Sequence, residues 1–163
     1  MQVTENFLQE EYYEHINELI TSTTFPWMFQ NRVANITEDP EEDLNHYYFV
    51  HSLFYRNKIE SPFYDDFLYL FQSLNVQFLH RARVLMFVNQ GEQYIHDRHV
   101  DHTTNCNTAL IYMNSNDGFT DFETGERIES VKNRLLLFDG SVPHSSSTPT
   151  NTKERLLLSV TYI

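Results

Sequence analysis

Three histidines and two aspartates lie between positions 96 and 102, in the stretch YIHDRHVDHTTN (94–105) that precedes an apolar run. Side chains at positions i and i+2 of an extended strand share a face. His99 and Asp101 would therefore present an imidazole and a carboxylate side by side, as two ligands of one metal ion. His96 and His102 lie three residues from His99, on the opposite face of such a strand. They would either orient the ligands or occupy the surface, and we favour the surface.

A third ligand is expected elsewhere, because two protein ligands rarely hold a catalytic metal. Downstream of the cluster the chain has one histidine, His144, which lies 43 residues after Asp101 in FDGSVPHSS. Two histidines and one carboxylate on one face of an ion leave its other positions open, which suits non-haem Fe(II) oxygenase chemistry. The same ligands with water would suit a zinc hydrolase. A non-catalytic, cupin-like metal-binding module is the third interpretation.

Arg155 follows His144 by eleven residues and opens the final apolar run, RLLLSVTYI. An arginine fork binds a carboxylate through two parallel hydrogen bonds. If Arg155 shares a strand face with Leu157 and Ser159, it points into the β-core and needs an anion there. An open metal site with an inward arginine favours an oxygenase that uses a carboxylate co-substrate.

Composition predicts a single globular domain over residues 1–163, since 40% of the residues are hydrophobic. The chain carries a net charge of −12, which argues against non-specific nucleic-acid binding. It has one cysteine, no signal-peptide pattern and no apolar run of membrane-spanning length. We therefore expect a soluble cytoplasmic protein without a membrane partner, whose oligomeric state the sequence leaves open.

Residues 1–80 are predicted to be mostly helical support. Apolar residues recur at helical spacing over 5–21, and a second run from Leu44 to Tyr55 looks helical. An acidic connector, ITEDPEEDLNH (36–46), leads into that second run. Ser61-Pro62 has the form of an N-cap followed by proline at the first helical position, so a helix through Phe63 and Leu74 should follow.

Residues 81–163 change to short strand-like runs separated by turn residues, which is typical of a β-sandwich or barrel. FETGERI (122–128), which connects the strand-like runs 119–123 and 127–131, has the form of a tight hairpin. The helices would brace one face of this β-core. The predicted strands are 81–89, 107–114, 119–123, 127–131, 134–140 and 155–163.

In HVDH, ALIYMN, RLLLFDGSVPH and RLLLSVTYI, the second half resembles the Fe(II)- and 2-oxoglutarate-dependent oxygenases, in their prolyl-hydroxylase-like branch. The segments occur in the family's order. The resemblance implies a double-stranded β-helix, or jelly roll, flanked by helices. It implies that His99, Asp101 and His144 bind Fe(II) and carry catalysis, with 2-oxoglutarate and dioxygen as co-substrates.

The resemblance also implies roles for residues that contact the co-substrate. Arg155 would pair with the distal carboxylate of 2-oxoglutarate, Tyr112 would hydrogen-bond the same carboxylate, and Ser159 would lie near it. Two positions depart from the pattern: Phe87 stands where some members have a tyrosine, and Leu157 stands where some have a hydroxyl residue.

The resemblance implies hydroxylation of a peptidyl or free amino-acid side chain, proline-like, or of a small metabolite. Arg81, Arg83 and Arg98 are candidate lining residues that would suit an anionic substrate. We favour instead outward ion pairs between these arginines and the acidic helical half.

Overall fold

A computed structural model describes residues 1–33, 44–103 and 106–163. Within these ranges no helix has the length and apolar character needed to cross a membrane. The helices are α1 (Glu10–Thr21) and α2 (Leu68–Ser73), with a 3₁₀ helix at Tyr64–Phe67. The strands of the described residues are β1 (Gln2–Thr4), β2 (Met28–Gln30), β3 (Tyr48–Tyr55), β4 (Lys58–Ile59), β5 (Leu79–Val88), β6 (Asn107–Tyr112), β7 (Phe119–Phe122), β8 (Arg127–Glu129), β9 (Arg134–Asp139), β10 (His144–Ser146) and β11 (Glu154–Tyr162).

The strands form two antiparallel sheets that build a double-stranded β-helix. The major sheet has the order β1-β9-β6-β11-β5-β3-β2, and β4 pairs with β3. The minor sheet has the order β10-β7-β8. Sequential neighbours such as β5 and β6 are not adjacent in the major sheet, because β11 lies between them. This topology brings the end of the chain into the middle of the fold.

The central strands are buried on both faces, which explains why they read as continuous apolar runs. On β11, Leu156 and Leu158 belong to a core cluster shared with the helices. Leu157, between them, belongs to a second cluster that includes Phe122 and Phe138 from the two sheets. Alternate residues of one strand therefore serve two cores, and the inner core carries the candidate site.

Helix α1 packs on the outer face of the major sheet, as predicted for a bracing element. Ile16 and Ile20 are buried in the helix-side cluster. The Tyr13 hydroxyl donates a hydrogen bond to the Met113 carbonyl oxygen at 2.5 Å. The predicted helix at 5–21 is confirmed over Glu10–Thr21.

The predicted helix from Leu44 to Tyr55 is wrong, because residues 48–55 form strand β3. Tyr48 and Val50 face the inner cluster while Leu53 faces the helix-side cluster. A bulge between Ser52 and Phe54 further disturbs the alternation. With apolar residues on both faces, a short run cannot reveal its period. Residues 1–80 thus contribute four strands of the described residues and are not mostly helical.

The remaining local predictions agree with the structure. The Phe63 amide donates to Ser61 Oγ at 3.0 Å, and the 3₁₀ helix and α2 follow. All six predicted strands are present, and FETGERI forms the β7–β8 hairpin, with Gly125 at φ +85°. Strand β10 was not predicted. Most of the predicted acidic connector (36–46) lies outside the described residues, and the single-domain organisation stays a prediction.

Asn133 ties the N-terminal segment to the major sheet. Its Oδ1 accepts from the Leu8 amide at 2.9 Å, and its Nδ2 donates to the Leu8 carbonyl at 2.8 Å. The residue is buried and adopts φ +57°. Few residues tolerate this left-handed conformation, and asparagine is one of them. Asn133 therefore supplies both the backbone turn and two long-range hydrogen bonds.

We expect Asn133→Ala to lower the free energy of unfolding by about 3 kcal/mol or more, since it orphans two buried backbone groups and strains the turn. Asn133→Gly should recover only the part of this loss in unfolding free energy that comes from backbone strain. Asn57→Ala, at an exposed residue with φ +60°, measures the backbone cost alone, about 1 kcal/mol. Urea unfolding of the three variants checks this, and equal losses for Asn133→Ala and Asn57→Ala would contradict it.

Candidate metal centre and its cavity

Backbone hydrogen bonds hold the His99 segment against the start of β10. The His99 amide donates to the His144 carbonyl at 2.9 Å, and the His144 amide donates back to the His99 carbonyl at 3.0 Å. The Asp101 amide donates to the Gly140 carbonyl at 2.9 Å. His99 and Asp101 lie in an irregular segment with one isolated bridge, not in the strand that the sequence suggested. The bridge still brings the three predicted ligands together.

The ligand atoms of His99, Asp101 and His144 all lie within 4.8 Å of one another. His144 Nε2 is 3.7 Å from Asp101 Oδ2. The Nδ1 atoms of both imidazoles face backbone carbonyls, at 3.3 Å for His99 with Asp97 and 3.0 Å for His144 with Val142. A proton on each Nδ1 leaves the Nε2 lone pair free for a metal, the usual arrangement for ligating histidines.

The Asp101 carboxylate accepts hydrogen bonds from the Arg81 guanidinium and the Thr108 hydroxyl. Arg81 Nη2 donates to its Oδ1 at 2.5 Å, and Thr108 Oγ1 donates to its Oδ2 at 3.0 Å. Burial alone would raise the pKa of this carboxyl, but the positive charge of Arg81, together with smaller effects of neighbouring groups, outweighs burial and brings the pKa below its ordinary value. Burial lowers the pKa of His99, so its ring stays neutral. Both groups are therefore in the protonation states that bind a metal.

Arg155 is fully buried and lines the same cavity as the three candidate ligands. Its Nε donates to Ser130 Oγ at 2.6 Å, its Nη1 donates to Ser146 Oγ at 2.5 Å, and its Nη2 donates to Thr120 Oγ1 at 3.1 Å. A further bond from Nη1 reaches the Ser147 carbonyl at 3.2 Å. All these acceptors are neutral, and among the described residues Arg155 has no carboxylate within ion-pair distance. A buried cation without an anion indicates a site for an anionic ligand.

Sequence reasoning missed the residues that shape this arginine pocket. Gly118 is required, because a Cβ there would lie 2.5 Å from Arg155 Cδ. Ser130, Ser146 and Thr120 supply the hydroxyl acceptors. Serine, threonine and glycine are common in strands and turns, so a single sequence carries no signal that separates these positions from others.

Tyr112 and Ser159 occupy different places around the cavity. The Tyr112 hydroxyl donates to Thr120 Oγ1 at 2.9 Å, and the Arg155 guanidinium lies 5.4 Å from its ring centroid. Tyr112 thus reaches the cavity through Thr120, and burial raises its pKa. Ser159 lines the cavity directly and pairs in register with Arg83 of β5.

The cavity is small, with a volume of about 50 Å³. Phe87 lies between the two sheets, with its ring centroid 5.6 Å from the Arg155 guanidinium. The apolar walls would keep water from a bound ligand. Further lining residues are Val33, Tyr48, Arg83, Leu85, Leu110 and Leu157.

The favoured prediction of outward ion pairs to the helical half is wrong for all three arginines. Arg81 binds Asp101 and Arg83 lines the cavity. Arg98 does lie at the surface, but its partner is Asp121 of β7, with Nη2 and Oδ2 2.6 Å apart. Ala82 and Val84 are buried on the helix side of β5. Arg81 and Arg83 alternate with them along the strand, so their side chains lie on the inner face.

His96 is buried with 2% of its surface exposed, so its predicted surface position is wrong. Its ring lies 5.3 Å from that of Phe87, and neither ring nitrogen has a hydrogen-bond partner within residues 1–33, 44–103 and 106–163. His102 is partly exposed and its ring lies 4.7 Å from that of His80. The extended-strand argument failed for His96 because the local chain is irregular.

Burial lowers the pKa of His96 to about 3. Since its pKa is about 6.5 in the unfolded chain, unfolding takes up a proton below that pH and the folded state loses stability as the pH falls. This single group should contribute a loss of about 2 kcal/mol between pH 7 and pH 5. His96→Phe should remove that part of the pH dependence.

Urea unfolding at both pH values would measure the effect, with His15→Phe as the control at an exposed histidine. An undiminished slope in His96→Phe would contradict the assignment.

Comparison with protein-family models gave no match, and comparison with curated proteins gave no significant match. Solved structures do match. A prolyl hydroxylase from Trichoplax adhaerens, in complex with a peptide fragment of hypoxia inducible factor, has a TM-score of 0.68 at 13% identity, covering 99% of this chain and 82% of that one.

Two bacterial structures are similar over nearly the whole chain. A 2OG-Fe(II) oxygenase family oxidoreductase from Burkholderia pseudomallei has a TM-score of 0.69 at 10% identity, covering 98% of this chain and 82% of that one. A Pseudomonas putida prolyl-4-hydroxylase has a TM-score of 0.58 at 14% identity, covering 99% and 91%. The chain therefore has the double-stranded β-helix fold of the 2OG-Fe(II) oxygenases, in the form seen in prolyl hydroxylases.

Proposed function

We propose that the protein is an Fe(II)- and 2-oxoglutarate-dependent dioxygenase that hydroxylates an amino-acid side chain or a small metabolite. One observation carries the proposal: a fully buried arginine with only neutral partners shares a cavity with two histidines and a carboxylate. A zinc hydrolase or a structural metal site needs no buried carboxylate anchor, so Arg155 favours the oxygenase.

The donor set fits Fe(II). Two neutral imidazole nitrogens and one carboxylate are the ligands of the facial triad, which leaves open positions for co-substrates. The candidate ligand atoms lie within 4.8 Å of one another, with His144 Nε2 and Asp101 Oδ2 3.7 Å apart. Metal binding would draw them together to the separation of about 3 Å that neighbouring ligands have at about 2 Å from one ion. His99, Asp101 and His144 would hold the metal, and Arg81 would keep the Asp101 carboxylate ionised and oriented.

The polar groups that line the cavity also suit 2-oxoglutarate. Arg155 would bind one carboxylate with its charge and with the one N–H that its bonds to Ser130, Ser146, Ser147 and Thr120 leave free, while those bonds fix the orientation of the guanidinium. Tyr112 would act on the same carboxylate through Thr120, and Ser159 would line the co-substrate channel. When bound, Fe(II) and 2-oxoglutarate supply the activation of dioxygen, with succinate and carbon dioxide as co-products. Phe87 and Leu157 would exclude water from this chemistry.

A proline-like amino-acid side chain, free or in a peptide, is the proposed target, with a small metabolite as the alternative. The fold supports this choice, since two of the similar structures are prolyl hydroxylases and one of them holds a peptide fragment.

The test is an anaerobic titration of apoprotein with Fe(II) and then 2-oxoglutarate, followed by visible absorption. A weak charge-transfer band that requires both additions is expected, because bidentate chelation of the metal produces it. Admission of dioxygen with a panel of amino acids and peptides should then yield succinate. A folded, metal-bound protein without a band would overturn the proposal.

The same titration separates the other two interpretations. Formation of the 2-oxoglutarate complex without succinate, across the panel, would indicate a binding module. Hydrolytic activity that persists without oxygen would indicate a zinc enzyme.

A further inference from the structure

Arg83 lies at the junction of two cavities on the inner face of β5. One is the cavity that contains the candidate metal ligands and Arg155. The other is an open groove that Arg32 and Arg81 also line, and that reaches His99 and Asp101 from outside. Arg83 therefore lies where a small molecule could enter the site beside His99 and Asp101.

Within the described residues, Arg81 of β5 forms an ion pair, whereas Arg83 forms none. Arg81 binds Asp101, but among the described residues Arg83 has no carboxylate within ion-pair distance. Its Nε is buried and has no hydrogen-bond partner in the part of the chain that the structure describes. Among the described residues, the Arg83 guanidinium donates a hydrogen bond to the Tyr48 hydroxyl. Burial lowers its pKa to about 10, so the guanidinium is still charged at neutral pH.

The groove concentrates positive charge in a chain whose net charge is −12. Its described lining includes three arginines and a single acidic residue, Asp101, whose charge Arg81 already offsets. A local positive field at a cleft attracts anions even when the protein as a whole is acidic. The groove therefore favours an anionic ligand.

Arg83 and Arg155 enter the cavity from backbone positions that lie well apart on the paired strands β5 and β11. Arg155 pairs in register with Phe87, and Ser159 pairs with Arg83, so the two arginines are four strand positions apart. That separation is about 13 Å along the sheet. Under the proposed function, one carboxylate of 2-oxoglutarate takes Arg155 and its other end takes the metal, which leaves Arg83 for another anion.

We propose that Arg83, oriented by Tyr48, forms a second anion subsite that binds a carboxylate of the primary substrate. The substrate is then a small free acid, such as an amino acid with an unblocked carboxylate, and not an internal residue of a peptide. This inference rests on the proposed function and narrows its substrate class.

The first arm of the test asks whether the anion at Arg83 is the co-substrate. Anaerobic calorimetry would measure 2-oxoglutarate binding to the Fe(II)-loaded wild type and to Arg83→Gln. The affinity should not change in Arg83→Gln. A loss of about thirtyfold or more, the size expected for a buried charge contact, would assign Arg83 to 2-oxoglutarate and overturn the inference. Absence of 2-oxoglutarate binding in the wild type would instead contradict the proposed function.

The second arm uses the Fe(II)- and 2-oxoglutarate-saturated protein without oxygen, and a panel of L-amino acids, each paired with its amide. Ligand-observed NMR should find acids that bind about thirtyfold more tightly than their amides. Arg83→Gln should abolish that preference and Arg83→Lys should retain part of it. Tyr48→Phe should weaken acid binding although Arg83 keeps its positive charge.

Arg98→Gln, at a surface arginine paired with Asp121, is the matched control and should keep the preference. Circular dichroism would establish that each variant is folded. Equal binding of acids and amides by the wild type, an unchanged preference in Arg83→Gln, or no saturable binding of any acid would each overturn the inference.

Discussion

His144→Ala is expected to fold and to lose Fe(II), with affinity reduced by more than about 100-fold, because even outer groups around a metal typically contribute 10- to 100-fold. His144 connects to His99 through backbone bonds, which the substitution leaves in place. The lost imidazole is one of three candidate ligands. Without the metal, succinate formation should fall to the uncatalysed level.

Anaerobic calorimetry with Fe(II) would measure the affinity, and the thermal midpoint would report folding. His15→Ala is the matched control, since its imidazole is exposed on α1 and pairs with Asp66. It should bind Fe(II) like the wild type. If a His99→Ala, His144→Ala double variant folds and keeps its metal content, neither histidine is needed to bind the metal and the metal-centre proposal is wrong.

Arg155→Lys is expected to weaken 2-oxoglutarate binding by about thirtyfold or more while leaving Fe(II) binding unchanged. Lysine retains the positive charge but has no planar guanidinium, so it cannot present an N–H to the carboxylate in the same orientation. It also cannot replace the separate bonds to Ser130, Ser146 and Thr120. The charge-transfer band should therefore require far more 2-oxoglutarate, and the KM for 2-oxoglutarate should rise.

Arg155→Ala is a harsher change, because it also opens a cavity and leaves several hydroxyl groups without their donor. Loss of stability must therefore be measured beside binding. Arg134→Lys, at an arginine paired with the exposed Glu5, is the matched control. Undiminished 2-oxoglutarate affinity in folded Arg155→Lys would contradict the assigned carboxylate anchor.

Local patterns predicted much of the fold. The six strand-like runs of the second half, the β7–β8 hairpin and helix α1 follow from periodicity and turn residues, which act over a few positions. Strand β3 was missed for the same physical reason that it is stable. Both of its faces are buried, so Tyr48, Val50 and Leu53 leave no polar alternation in the sequence.

The candidate site was likewise predicted only in part from the sequence. Residue type and order alone singled out His99, Asp101, His144 and Arg155, because few combinations of side chains can hold a metal beside a carboxylate. Their proximity in space required pairings across more than forty residues, such as the bridge between His99 and His144. Their functional roles stay predictions until metal and co-substrate binding are measured.

Only the tertiary structure decided how the polar residues of the inner face are used. It placed His96 in the core, joined Arg81 to Asp101, and left Arg83 facing the cavity. These outcomes depend on which distant strand supplies a partner, and burial makes an unpaired charge costly wherever no partner is supplied. The sequence by itself determined which chemical groups are present, and the sheet topology determined which of them are already paired and which await a ligand.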